Sequence, residues 1–280
     1  MRLATPFTRQ NQQLRTSLNR SRRSLSPMHL LMFRITTQTA CLAAAVLLAS
    51  SGHVSAQAKS GLPPAIQAQM DTSSARFTSA QADIRQELYT SAVHDTETQP
   101  GQIYFLRKGG STQMGMKLLP PDAAPGTPPA QVMELKDGKA RMFNPGTNQV
   151  DEFSAAGKNQ QLTETFMTLG FGGSGTDLAK AWTITDEGTE AISEAGKPIQ
   201  TQKLDLVSRD QNIKNNFSHI TVWLDPVRDV SLKQVFFEAS GGKPSGDTRT
   251  VYFTNIRLNQ PVDLASFAIK CKGKCSVVTH

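Results

Sequence analysis

Short runs in which apolar and polar residues alternate dominate the chain after Pro100-Gly101. Turn-forming residues separate these runs, and Asp137-Gly138 between two of them is a strong hairpin signal. Few neighbouring runs have a helical pattern between them, which favours an antiparallel meander that closes partly on itself. The predicted strands cover residues 101–108, 112–120, 130–137, 139–145, 148–154, 181–188, 199–208, 218–226, 229–239, 247–258 and 266–270.

Two segments have apolar residues at helical intervals. In residues 62–90 these are Ile66, Met70, Phe77, Ile84 and Leu88, and they predict a long amphipathic helix, with a break near 71–74. Residues 160–169 carry Leu162, Phe166 and Leu169 on one stripe and predict a shorter helix. The predicted fold class is therefore mostly β with some helix, in one domain over residues 59–280.

Residues 1–58 have the features of a leader. The apolar run 40–49 has about ten residues, whereas a membrane-spanning helix needs about 20. Small residues at Val54-Ser55-Ala56 and Ala56-Gln57-Ala58 follow it, as in a secretory signal peptide cleaved near Ala56 to Ala58. The alternative is a short anchor helix that stays in place. Residues 1–27 are interpreted as lying upstream of the true translation start. The alternative is that they form an unusually long n-region of the signal peptide.

The net charge of +7 lies entirely in this leader. Residues 1–58 hold seven arginines, no lysine and no acidic residue, so the part from Lys59 onward is formally neutral. A nucleic-acid-binding domain needs a basic face. The neutral composition of residues 59–280 gives no indication of such a face.

Residues Gly170 to Gly175 read GFGGSG, which matches the G-x-G-x-x-G spacing of dinucleotide-binding loops. Such a loop must follow a strand and open a helix within a parallel β-α-β unit. Here the preceding pattern is helical and a strand follows within one or two helical turns. The glycines are therefore interpreted as a helix end with left-handed turns, running into a short turn at 177–180.

Cys271 and Cys275 are the cysteines that remain once the leader, with Cys41, is removed. An even pair in an exported protein favours a disulfide, and Gly273 between them permits a tight turn. Free thiols, or a metal or redox role, are the alternatives. No set of nucleophile, base and oxyanion donors is evident, so no catalytic activity, cofactor or metal is expected.

Four methionines fall in the central predicted strands. Met114, Met116 and Leu118 alternate on one face, as do Met133 and Leu135, and Met142 extends the set. Methionine is flexible and adapts to irregular apolar partners. These residues predict either an ordinary packed core or a cavity for an acyl chain under the helices.

The order of several short segments resembles the LolA family of periplasmic lipoprotein carriers over about residues 62–278. The segments are ARFTSAQADIRQ, GQIYFLRK, DGKARMFNPGTNQVDEF, LGFGGSGTDL, KLDLVSR, VWLDP and GDTRTVYFTNIRLNQPVDLASFAIK. The resemblance implies an unclosed antiparallel β-barrel with a helical lid over an apolar cavity. Departures are Lys108-Gly109, the Pro-rich stretch 120–129 and the cysteine pair.

The resemblance also implies a function without covalent chemistry. A soluble, monomeric periplasmic carrier would take the acyl chains of lipoproteins from an inner-membrane releasing complex and pass them to an outer-membrane acceptor, with only transient proximity to a membrane. The expected cavity residues are Met114, Met116, Leu118, Met133, Leu135, Met142 and Phe166. Arg107 matches a lid-holding arginine of the family; its alternative is a surface arginine at a strand end. The alternative function is a periplasmic lipid or lipoprotein sensor of the same fold that regulates an envelope-stress signal.

Overall fold

The computed structural model describes residues 59–108, 111–154 and 169–280 of the chain. Three α-helices are described: α1 (Pro64–Arg76), α2 (Gly175–Ala181) and α3 (Gln211–Asn216). The strands are β1 (Lys59–Ser60), β2 (Ser79–Thr90), β3 (Asp95–Lys108), β4 (Ser111–Leu118), β5 (Gln131–Lys136), β6 (Lys139–Asn144), β7 (Gln149–Ser154), β8 (Trp182–Glu194), β9 (Lys197–Ser208), β10 (Phe217–Asp225), β11 (Val230–Ser240), β12 (Lys243–Leu258) and β13 (Ser276–Thr279).

All thirteen described strands belong to one open sheet, in the order β1-β8-β9-β10-β11-β12-β2-β3-β4-β5-β6-β7-β13. Two antiparallel meanders, β2 to β7 and β8 to β12, are joined side by side where β12 pairs with β2. The last strands of the series do not pair with the first, so the sheet is an incomplete barrel. The predicted fold class, a mostly β, incomplete antiparallel barrel with few helices, is confirmed.

The hairpins follow the turn chemistry of the sequence. Asp137 and Gly138 both have positive φ, at 53° and 70°, between β5 and β6. A two-residue turn with this backbone matches the right-handed twist of the strands it connects.

The helix predicted over residues 62–90 is wrong in its second half. Helix α1 ends at Arg76, and residues 79–90 form β2, which pairs with β3 and β12. Ala80, Ala82 and Ile84 are buried on one face of β2 at a spacing of two. Ile84 and Leu88 are four residues apart, a spacing that places them on one face of either a helix or a strand. The pairing of β2 with β3 on one side and β12 on the other selects the strand.

Two large apolar clusters form the core. One lies between the helices and β8–β11 and includes Met70, Leu178 and Trp182. The other lies between β2, β3 and β12 and includes Phe77, Phe105 and Phe253. No helix of the described part is long and apolar enough to cross a membrane.

The C-terminal segment departs from the predicted strand at 266–270. Residues Leu264–Phe267 form a 3₁₀-helix, and the Phe267 ring packs edge-on against Tyr104 at 4.8 Å between centroids. Cys271 and Cys275 form a disulfide with their Cα atoms 5.4 Å apart. Strand β13 follows and pairs in parallel with β7, an arrangement that alternation alone did not indicate.

We predict that replacing both Cys271 and Cys275 by Ser lowers the free energy of unfolding by less than about 3 kcal/mol, because so short a loop constrains the unfolded chain little. Denaturant unfolding of the variant and of wild type measures the difference. Intact-mass analysis after alkylation checks the bond itself. Two alkylated thiols on unreduced wild type would contradict it.

Candidate functional site

A cavity of about 230 Å³ lies within the curve of the sheet. Its lining is mostly apolar and comes from eight consecutive strands of the sheet, which run from β11 and β12 through β2 to β7. Phe153 of β7 and Phe236 of β11 both line it, although they lie far apart along the sheet. The cavity therefore exists because this part of the sheet curves and brings β7 towards β11.

The Met-rich wall of the cavity is built from rows of side chains across neighbouring strands. Because side chains alternate between faces, directly paired residues of one row share a face. One row consists of Phe105, Met114, Leu135, Ala140 and Phe153. The next row consists of Ile103, Met116, Met133 and Met142.

The structure brings five of the seven expected cavity residues together at this wall: Met114, Met116, Met133, Leu135 and Met142. Leu118 shares their face but belongs to the packed core. It lies opposite Gly101, where its Cδ2 atom is 3.0 Å from the position a Cβ would take, so it fills the space that glycine leaves. Phe166 lies outside the described residues.

The opposite wall contains residues that the sequence interpretation missed. Ile84 and Gln86 come from β2, and Arg249, Val251 and Phe253 come from β12. Because a helix was predicted over 62–90, Ile84 and Gln86 were not expected to share one face of a strand. The spacing of two in Arg249, Val251 and Phe253 was available as a signal, but only the pairing of β12 with β2 places it across from the methionines.

Helix α1 and residues 169–181, which include α2, form what we term the helical layer. Gly170 lines the cavity, and Phe171 contacts the Phe105 ring at 5.0 Å between centroids. Asp71 of α1 accepts hydrogen bonds from the Thr176 backbone N–H at 2.9 Å and from the Thr176 hydroxyl at 2.7 Å. These bonds connect α1 to the start of α2.

The glycine-rich stretch allows close packing inside this layer. Gly172 has φ +74°, and a Cβ there would lie 2.4 Å from the Phe77 ring; a Cβ at Gly175 would lie 2.7 Å from the Gln67 backbone. Ser174 caps α2 by accepting from the Asp177 N–H. Gly172 has the left-handed backbone that the turn interpretation expects, whereas a helix over Gly175–Ala181 replaces the short turn expected at 177–180. The packing of Phe77 and Gln67 against Gly172 and Gly175 was not part of that interpretation.

Arg107, at the end of β3, bonds to both parts of the helical layer. Its Nη1 donates to the Ser74 carbonyl at 2.6 Å and its Nη2 donates to the Gly172 carbonyl at 2.7 Å. The guanidinium also lies 5.3 Å from the centre of the Phe77 ring. Ser74 is in the last turn of α1, where carbonyls lack helical partners and a cation is favourable.

The carboxylate of Asp71 has a pKa below its ordinary value of 3.8, first because the Thr176 backbone N–H donates to it and second because of the Thr176 hydroxyl. Among residues 59–108, 111–154 and 169–280, no group of three or more His, Cys, Asp or Glu side chains could hold a metal ion.

No protein-family model and no curated protein sequence matches this chain. Several solved structures do, at low identity. A protein of Thermus thermophilus is 13% identical, with a TM-score of 0.44 over 77% of this chain and 97% of its own. A LolA superfamily protein of Nitrosomonas europaea is 13% identical, with a TM-score of 0.33 over 73% and 96%. The lipoprotein LppX of Mycobacterium tuberculosis is 12% identical, with a TM-score of 0.39 over 72% and 99%.

We predict that Gly172→Ala destabilises the protein by more than the roughly 1–2 kcal/mol expected for a left-handed alanine, because its Cβ also meets the Phe77 ring. Gly196→Ala is the matched control, since Gly196 has φ +79° with nothing within 4 Å of the added atom. Denaturant unfolding compares the two. An equal loss of stability in both variants would mean that the Phe77 ring accommodates the added Cβ without cost.

We predict that the bonds between Asp71 and Thr176 weaken in acid. Because the folded-state pKa of Asp71 is lowered, its contribution to stability is fully present above the unfolded value of about 3.8 and is lost as pH falls through the folded pKa. Hydrogen exchange of the Thr176 amide should show protection that decreases over that range. In Asp71→Asn this decrease should be absent. Unchanged protection in wild type through that range would contradict the assignment.

Proposed function

We propose that this protein binds acyl chains of lipoproteins in the cavity and carries them between membranes. The observation that carries the proposal is the wall of four methionines and Leu135 facing an unfilled apolar space. A core that serves only stability is packed to a high density with few voids larger than a water molecule. A flexible, Met-lined void is better suited to a partner of variable shape.

The size of the cavity indicates how a ligand would enter. An apolar cavity of about 150 Å³ can hold benzene, so about 230 Å³ at rest accommodates only a short apolar segment. A full acyl chain requires the methionine side chains or the helical layer to move. Burial of each CH₂ contributes about 0.8 kcal/mol, and the work of opening the cavity offsets part of that gain, which keeps release possible.

The helical layer acts as a lid in this proposal. Arg107 is the tether, because it bonds to carbonyls of α1 and of the glycine-rich stretch at once. Breaking these two bonds frees both parts of the layer from the end of β3. Arg107 is thereby proposed to favour the closed state rather than to contact the ligand.

The route of transport comes from the leader and from the family resemblance. We propose export by the signal peptide near residues 40–58, a periplasmic site of action, and transfer from an inner-membrane releasing complex to an outer-membrane acceptor. The matched LppX structure is named a lipoprotein, and the LolA superfamily name belongs to another. Carriage of this kind requires no covalent step, so we propose that the protein is not an enzyme.

We predict that Met116→Asp abolishes lipoprotein binding, because a carboxylate placed against an acyl chain is costly unless it is paired or neutralised. Gln113→Asp is the matched control, since residue 113 lies on the other face of β4 by alternation. Mass spectrometry of molecules that co-purify from the periplasm measures cargo, and circular dichroism checks the fold.

The expected result is cargo on wild type and on Gln113→Asp but not on Met116→Asp. Undiminished cargo on a folded Met116→Asp protein would show that the cavity is not the binding site.

A further inference from the structure

One end of the cavity is polar, in contrast to the Met-rich wall. Gln86 of β2, Gln234 of β11 and Arg249 of β12 all line it. Val251 pairs with Gln86 on one side and with Gln234 on the other, so both glutamines belong to one row across the sheet. Arg249 is two residues from Val251 and lies on the same face. Three strands thus bring three polar side chains to one end of an apolar space.

The side chain of Gln86 has no bonding partner in the described part of the chain. It lines the cavity in a residue that is only 7% exposed. A buried amide normally finds hydrogen-bond partners, since leaving it without them is unfavourable. Gln234 differs, because its Nε2 donates to the Leu169 carbonyl at 2.9 Å.

Arg249 is only partly satisfied as well. Its Nη2 donates to Glu238 Oε1 at 3.1 Å, whereas its Nε is buried and has no partner among the described residues. The guanidinium carries its donors in a fixed plane and is suited to oxygen acceptors. The polar end therefore brings an amide without a hydrogen bond and a positive charge to the cavity.

We propose that this polar end binds the oxygen-bearing head of an acyl chain, which is a carboxylate or an acyl carbonyl. The inference rests on the proposed function, since the chain attached to that head would extend along the methionine rows. The head oxygens supply an acceptor for Gln86 Nε2 and lie near the positive charge of the Arg249 guanidinium. Free fatty acids and acyl esters share this chemistry, and the Gln86 amide suits both, whereas the Arg249 charge favours the carboxylate.

The experiment uses the chain without its leader and three ligands. The uncharged dye N-phenyl-1-naphthylamine reports on the apolar space by fluorescence; laurate and methyl laurate are then titrated as competitors. The variants are Gln86→Leu and Arg249→Met, with Gln86→Met as a second apolar replacement. Gln81→Leu and Arg85→Met are matched controls, because both residues lie on the other face of β2.

We expect dye affinity to be similar in all variants. Laurate affinity should fall about tenfold or more in Gln86→Leu and in Arg249→Met, as for loss of a hydrogen bond to a charged group, and should stay at the wild-type level in the controls. The affinity for methyl laurate should fall in Gln86→Leu. A much smaller fall in Arg249→Met would mean that Arg249 recognises the carboxylate charge, whereas an equal fall in both variants would identify the ester carbonyl as the recognised group.

A merely structural role for Gln86 predicts something different. Removing an unpartnered buried amide should keep or raise the melting temperature of Gln86→Leu, while a structural amide would lower it. Laurate affinity unchanged in folded Gln86→Leu, Gln86→Met and Arg249→Met would overturn the proposal. If the dye does not bind the wild-type protein, the proposed carrier function is contradicted as well. If the dye binds and laurate affinity is the same in wild type and variants, only the proposed role of the polar end is rejected.

Discussion

The pairing of β12 with β2 is the contact on which the cavity depends. It joins residues 248–258 to residues 80–89, across most of the described chain, and so connects the two meanders into one sheet. Val251 and Phe253 of β12 and Ile84 of β2 line the cavity at this junction. Without the junction, the Met-rich wall would lose the part of its opposite wall that β11 and β12 supply.

The packed core and the cavity wall differ in how their side chains are packed. The core contains large apolar side chains with little exposure, as at Trp182 and Leu206. The cavity wall uses methionines, which lose packing contacts on the side that faces the void. A structure that keeps such a space unfilled gives up stability there, and the well-packed cluster under the helices offsets this loss.

The helical layer depends on a few directional bonds as well as on apolar burial. Asp71 holds the start of α2, and Arg107 holds the end of α1 together with the glycine-rich stretch. Gly172 and Gly175 allow these parts to approach each other more closely than a Cβ would permit.

The sequence by itself determined most of the strands from β3 to β12 and much of the Met-rich wall. Alternation at Met114, Met116, Met133 and Leu135 is a local property, since successive side chains of a strand point to opposite faces. Turn residues such as Asp137-Gly138 likewise act over a few residues. The disulfide between Cys271 and Cys275 was predictable because these are the two cysteines that follow the predicted leader.

Only the tertiary structure decided which walls face each other. Residues 79–90 suit a helix or a strand by spacing, and pairing with β3 and β12 selects the strand. Leu118 alternates with the cavity methionines, yet the space over Gly101 draws it into the core. Gln86 and Arg249 meet in one cavity through pairing between strands remote in sequence. Local patterns encode which face a residue takes; what that face meets depends on how the sheet curls.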